Sequence, residues 1–303
     1  MAIVTKILKN RNFVLSLSIV LGLAVGKVAV WTQPLVLPMM AVVMTLSAAN
    51  IKTSDFAAIK SMPYRMLAAL LLNYVVMGGV ILLMARWLIT DDELWTGFVL
   101  IAAVPPAVAA VPWSYILGGD TLLSLISLAS AYVVALVVTP AITIGFLGVG
   151  FFNPVEIIIT ILVLIAVPVV ASRILIFTGL NQRIDKYRGT MVNWSFFFIL
   201  FTIIGLNREA FFSQFDVLLR LSIIAITTTF ILGHIIELIA RALHIDRATS
   251  ISFLLIGTMK NYGLAGAIAL TLFTERASIP GSVCLVFAVL RTLWLAFYFK
   301  KRA

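Results

Sequence analysis

The chain is a succession of long apolar runs separated by short polar turns, a pattern few folds can accept. Each run is roughly 20 residues, the length an α-helix needs to cross a hydrocarbon layer at ~1.5 Å per residue. The runs lack the alternating ~10-residue pattern of an outer-membrane barrel. Backbone N–H and C=O groups in lipid meet no water, so the runs must bond them internally, as helices. Composition agrees: 62% of the 303 residues are hydrophobic and 11% are charged, against about half and about a quarter in soluble domains. The expected fold class is an all-α integral membrane protein embedded in the lipid bilayer.

Ten transmembrane helices are expected, over 13–31, 34–50, 66–89, 95–118, 121–147, 154–178, 190–206, 217–243, 247–273 and 278–299. Short polar segments such as "ITDDEL", "LGGD" and "HIDRATS" separate them. The net charge of +10 is not read as a nucleic-acid signal, because the cations gather in short clusters between apolar runs, as in cytoplasmic loops. With ten spans, Lys6, Lys9, Arg11, Lys52, Lys60, Arg65, Arg173, Arg183, Lys186, Arg188, Arg241, Arg247, Lys300, Lys301 and Arg302 fall on one side. Lys27, Arg86, Arg208, Arg220 and Arg276 fall on the other, with Asp91, Asp92, Glu93, Glu209 and Glu275. That bias predicts a multi-pass protein of the cell inner membrane with both termini cytoplasmic. The basic start before an apolar core is also the layout of a signal peptide. Its length and want of a small-residue cleavage site favour a retained first helix. Cys284 alone permits no internal disulfide, and no metal-ligand spacing surrounds it.

The fourth and ninth runs are interrupted. "LWTGFVLIAAVPPAVAAVPWSYILGGD" carries Pro105 and Pro106 near its middle, where proline removes a donor and clashes with the preceding turn. "ATSISFLLIGTMKNYGLAGAIALTLFTERA" has Gly257, Gly263 and Gly266 around Lys260 and Asn261. Both breaks lie half-way along their runs, near the bilayer midplane. They are five helices apart, an odd number, so the expected organisation is two inverted five-helix repeats, 1–150 and 151–303. Matched interruptions in inverted halves point to a secondary transporter with its binding site where the unwound segments meet.

Several segments then resemble the bile acid:sodium symporter family, over nearly the whole chain: "VLPMMAVVMTLSAANIKTSDF" (36–56), "NYVVMG" (73–78), "PPAVAAVPWSYILGGDTLLSL" (105–125), "HIIELI" and "MKNYGLA" (259–265). The resemblance implies a panel domain of helices 1, 2, 6 and 7 and a core domain of helices 3–5 and 8–10. It also implies that the broken helices 4 and 9 cross, with two sodium ions behind the crossing. The sequence departs from the family at the ion ligands. A Ser-Asn pair is replaced by Ala110 and Val111, a glutamate by Ile256, and the signature glutamine by Lys260. Asn73, Ser124 and Asn261 remain polar. Sodium wants several hard oxygen ligands, so ordinary sodium binding is not expected and no cofactor is implied.

A lysine at mid-membrane costs about 2.5–3.5 kcal/mol on insertion scales, and Lys260 is too far from either charged end to snorkel fully. Three roles are open to it. Its ammonium can replace the missing sodium, donating to half-helix carbonyl ends, Asn73 and Asn261; exchange of its proton would then make protons the coupling ion. It can bind an anionic substrate with help from half-helix N-termini. Or it is a static structural cation. The crossover and substrate site is expected to comprise Asn73, Pro105, Pro106, Ala110, Val111, Ser124, Ile256, Met259, Asn261 and Gly263, with His234 and Arg291 as secondary candidates. For His234 the alternatives are a proton relay and a bonded core histidine; for Arg291, a substrate contact and a snorkelling cation. Glu237 and Arg241 have i,i+4 spacing, and Asp120 is placed to cap a helix.

The function expected is secondary transport of a small organic anion by alternating access, sodium-independent and with Lys260 as the candidate for proton coupling. One alternative is a sodium-coupled symporter with altered ligands. Another is a carrier like the arsenite efflux proteins, whose fourth span "VPWSYILGGD" resembles, but Pro106 stands where they use cysteine and Gly263 where they use an acid. A channel fits paired breaks less well. No intramembrane catalytic cluster suggests an enzyme. Substrate identity and oligomeric state are not readable from the sequence.

Overall fold

The computed structural model describes residues 9–49, 62–148 and 154–300. Lys6, Lys52, Lys60, Lys301, Arg302 and the repeat boundary at 150/151 lie outside the described residues. The regular elements are helices: α1 (Arg11–Val25), α2 (Val36–Ala48), α3 (Pro63–Leu88), α4 (Asp92–Ala103), α5 (Ala110–Leu117) and α6 (Thr121–Leu147) come first. They are followed by α7 (Pro154–Phe177), α8 (Leu180–Leu206), α9 (Phe215–Ala242), α10 (Arg247–Thr258), α11 (Tyr262–Leu272) and α12 (Glu275–Lys300). Asp91, Asp120, Asp246 and Asn261 cap α4, α6, α10 and α11 by accepting from first-turn backbone N–H groups, which would otherwise lack partners.

This is a multi-pass, all-α membrane protein, but the expected ten transmembrane helices in two inverted five-helix repeats are not found. Among the described residues, 6 helices are long and apolar enough to cross a membrane. The difference has three local causes. The first two expected spans run together as one stretch, Phe13–Ala48, joined through short 3₁₀ and α turns. The fourth and ninth are each cut into two pieces, α4 with α5 and α10 with α11, of 12, 8, 12 and 11 residues. In the sixth, α7, the apolar segment found among the described residues is Ala166–Phe177, too short to count as a span.

The broken helices occupy the middle of the molecule. Every residue from Thr249 to Ala269 is buried, as is every residue from Gly97 to Pro106. Polar groups here reach neither lipid nor water and must find partners inside the protein. Around them α8 packs along α1 and α2, α12 packs against α11 and α4, and α9 packs against α10. Helix α4 can lie against α12 because Gly97 has no side chain: a Cβ there would sit 2.2 Å from the carbonyl of Ala277.

Two helices carry a turn of π-helix, Leu72–Met77 within α3 and Thr227–Ile231 within α9. Such turns insert one extra residue and redirect side chains. In α9, Thr228 and Thr229 donate to the carbonyls of Ile224 and Ala225. In α3, the π turn carries the buried Asn73.

Candidate functional site: the crossing of two unwound segments

Pro105 and Pro106 have no N–H, so α4 stops and the chain leaves Ala103 extended, with Val104 at φ −71°, ψ 154°. Helix α10 stops at Thr258, and Met259 is extended likewise, φ −102°, ψ 90°. The two extended segments meet antiparallel, pairing Pro106 with Lys260. Ala107 N–H donates to Met259 O at 2.7 Å, and Asn261 N–H donates to Pro105 O at 3.1 Å. Two unwound backbones thus satisfy each other where no solvent can.

Each interrupted helix still ends in carbonyls without an i+4 donor. Side chains supply the donors. Lys260 Nζ donates to Ala102 O at 2.8 Å, to Val104 O at 3.0 Å and to Asn73 Oδ1 at 2.8 Å. The ammonium also lies 4.7 Å from the centroid of the Tyr74 ring, within cation–π range. Its three N–H groups face three acceptors, and its side chain is 1% exposed. Asn73 Nδ2 donates to Ile256 O at 2.8 Å. Thr139 Oγ1 donates to Ala103 O at 2.9 Å, and Arg291 Nη1 reaches Thr258 O at 3.3 Å. The lysine therefore addresses the negative end of α4, and the arginine that of α10.

The expected site residues divide. Lys260, Asn73, Pro105, Pro106, Met259 and Asn261 meet at the crossing. Ile256 enters it through its backbone carbonyl. Ala110 and Val111 form the first turn of α5, and Gly263 lies in the first turn of α11 beside Met40. Asn261 does not bond Lys260; its Nδ2 donates to the Tyr132 hydroxyl at 3.0 Å, and its Oδ1 caps α11. Ser124 sits apart, donating to Ser114 Oγ at 2.9 Å, which in turn lies 3.2 Å from Ser252 Oγ. His234 is also apart, edge-on to Trp294 and Tyr298 at 4.7 and 5.2 Å between ring centroids, with Nδ1 3.5 Å from Glu237. Glu237 pairs with Arg241 and accepts from the Tyr298 hydroxyl. Arg291 does not snorkel; it is 3% exposed.

Sequence reasoning expected half-helix carbonyl ends as acceptors without naming Ala102 and Val104, and it missed the Tyr74 ring, Tyr132, Tyr262 and Arg11. Tyr74 was signalled by its place next to Asn73. Arg11 was counted only as a flanking cation, yet it lines a cavity of about 70 Å³ beside the crossing, together with Trp113, Lys260, Asn261, Tyr262 and Arg291. No carboxylate among the described residues lines that cavity.

A bundle of apolar helices enclosing two unwound segments, a buried cation at their crossing and an arginine-lined cavity alongside defines a membrane protein of the secondary-transporter class. The chain belongs to the sodium bile acid symporter family, which it matches over residues 37–214. It is also similar to a Bacillus subtilis (strain 168) protein described as the uncharacterised sodium-dependent transporter YocS, at 21% identity over 287 residues, 93% of this chain and 88% of the relative. The family is one of transport proteins rather than enzymes.

Proposed function

We propose that the protein carries a small organic anion across the membrane by alternating access, without sodium. The observation that supports this most directly is the seat of Lys260. An ammonium with three oxygen acceptors at 2.8–3.0 Å stands where a cation is needed to hold the end of α4 to α3 and α10. The relative's name attributes sodium dependence to that protein. In this chain Ala110, Val111 and Ile256 supply no side-chain oxygen, and the cation is part of the chain. The case for an anionic substrate rests on the neighbouring cavity, lined by Arg11 and Arg291 and by the N-terminal turns of α5 and α11, whose dipoles favour negative charge.

Proton exchange at Lys260 would demand a rearranged crossing. A neutral amine has two N–H groups for three acceptors, and its lone pair would face an oxygen. Purified protein in liposomes, offered a panel of small carboxylates under sodium and proton gradients imposed separately, tests the reading. Anion uptake that persists in sodium-free buffer is expected. Uptake driven only by a sodium gradient overturns it. Should Lys260→Gln leave the pH dependence of uptake unchanged, proton coupling through Lys260 is excluded.

A further inference from the structure

The cavity beside the crossing holds two polar atoms whose bonding is incomplete. Arg291 and Tyr262 are 3% and 2% exposed. Arg291 Nη2 and the Tyr262 hydroxyl are buried without a hydrogen-bond partner. Burying such groups unpaired is costly, most of all for a charged one. Capping Thr258 accounts for one N–H of a guanidinium that has five, so the cap alone does not explain the side chain. Space for it has been left on the opposite helix: a Cβ at Gly233 would lie 2.8 Å from Nη2. A second guanidinium, Arg11 of α1, lines the same cavity. None of the ion pairs among the described residues includes Arg11 or Arg291. The third cation, Lys260, has its donors committed to Asn73 and the end of α4.

The geometry points to a dianion as the ligand of this cavity: one small molecule with two carboxylate-like groups, one on Arg291 and the Tyr262 hydroxyl, the other on Arg11. This rests on the reading of the cavity as the substrate site. Neither guanidinium has an anionic partner among the described residues, and a ligand carrying two negative charges neutralises both, whereas a monoanion leaves one unpaired. Arg is suited to the task by its planar, multi-donor fork. Size narrows the class further. At ~10–15 Å³ of such space per water, a volume of about 70 Å³ holds a handful of waters, so the cavity in this conformation accepts a short-chain dicarboxylate and not a steroid-sized body.

Succinate and butyrate, similar in length and differing in one charge, are the probes. Purified full-length protein is titrated with each at matched ionic strength, and the rise in thermal unfolding midpoint is converted to affinity. Succinate is expected to bind at least about tenfold more tightly than butyrate, the effect of one added charged hydrogen-bonded contact. Arg11→Gln and Arg291→Gln should each abolish the preference. Gly233→Ala changes no charge but displaces the Arg291 guanidinium, and is expected to weaken succinate about tenfold, which keeps the test open if Arg291→Gln does not fold. Equal affinities, failure of both probes to bind, or a preference that survives Arg11→Gln overturns the inference. Uptake by liposomes separates this from the transport reading. Monoanion uptake unaffected by Arg11→Gln sinks the dianion and keeps the transporter. Arginine-dependent succinate binding with no uptake of any anion keeps the site and sinks the transporter.

Discussion

Lys260 and Asn73, separated by 187 positions in the chain, are joined by an ammonium-to-carbonyl hydrogen bond of 2.8 Å. That bond ties the π turn of α3 to the break between α10 and α11. Because the same ammonium bonds the end of α4, a single atom links three helices.

Replacing Lys260 by Met keeps the bulk and removes all three donors. Ala102 O, Val104 O and Asn73 Oδ1 are then left in a dry interior, at about 1–3 kcal/mol for each orphaned acceptor. A destabilisation of about 3 kcal/mol or more is expected, read as a lower thermal unfolding midpoint in detergent. Lys260→Gln restores two donors and should fall between Met and wild type. A Met variant as stable as wild type would show that the ammonium does not hold the crossing.

Asn73 both accepts from Lys260 and donates to Ile256 O. Asn73→Ala loses both bonds and leaves a small void, so a cost of about 2–3 kcal/mol is expected. Hydrogen exchange should rise selectively at the amide of Met259 and its neighbours, where α10 comes loose. Uniform exchange across α10 and α1 would contradict that localisation.

Gly97 marks the contact between α4 and α12. A methyl there would meet Ala277 O at 2.2 Å and Pro280 Cγ at 2.8 Å. Gly97→Ala must push the helices apart and should cost about 1–3 kcal/mol, despite the usual preference of helices for alanine. An unchanged or raised unfolding midpoint would refute the close approach.

Outside the spanning helices, Asp91 caps α4 and accepts from Arg276 at 2.8 Å. Partial burial pushes its carboxyl upward, but the backbone N–H of Leu94 and the Arg276 guanidinium outweigh that and hold it below the usual carboxylate range. Its contribution to stability is therefore complete above about pH 4, the unfolded value, and fades as pH falls through the lower folded value. Asp91→Ala should cost about 1 kcal/mol at neutral pH through the lost cap. It should also flatten stability against pH below 4. An acid-side slope identical to wild type would remove Asp91 from the account.

Helicity, membrane embedding and the two interruptions were legible in the sequence, because apolar run length and paired prolines act locally. Lys260 and Asn73 stood out because polar side chains in apolar runs need partners. The partners themselves were partly hidden. Ala102 and Val104 act through backbone carbonyls, which carry no mark in an apolar sequence. The number of long helices was misjudged because each broken run was counted as one span although its pieces are half-length, and because local signals cannot tell a junction from a turn. Val25–Val36 is such a junction, where 3₁₀ turns carry the helix on. The segment "FKKR" that follows Arg291 left a snorkelling cation and a substrate contact both open for it, while Gly233, 58 residues earlier, is what makes room for it inside.

A bound ion holds a structure together by mass action, with a strength that rises and falls with its concentration outside. The ammonium at the crossing is tethered through its own side chain to the segment it stabilises. It has no dissociation constant, no residence time and no bath to equilibrate with. The hold on Asn73 and the end of α4 is thus set once, when the chain folds, and is the same in any salt the membrane meets.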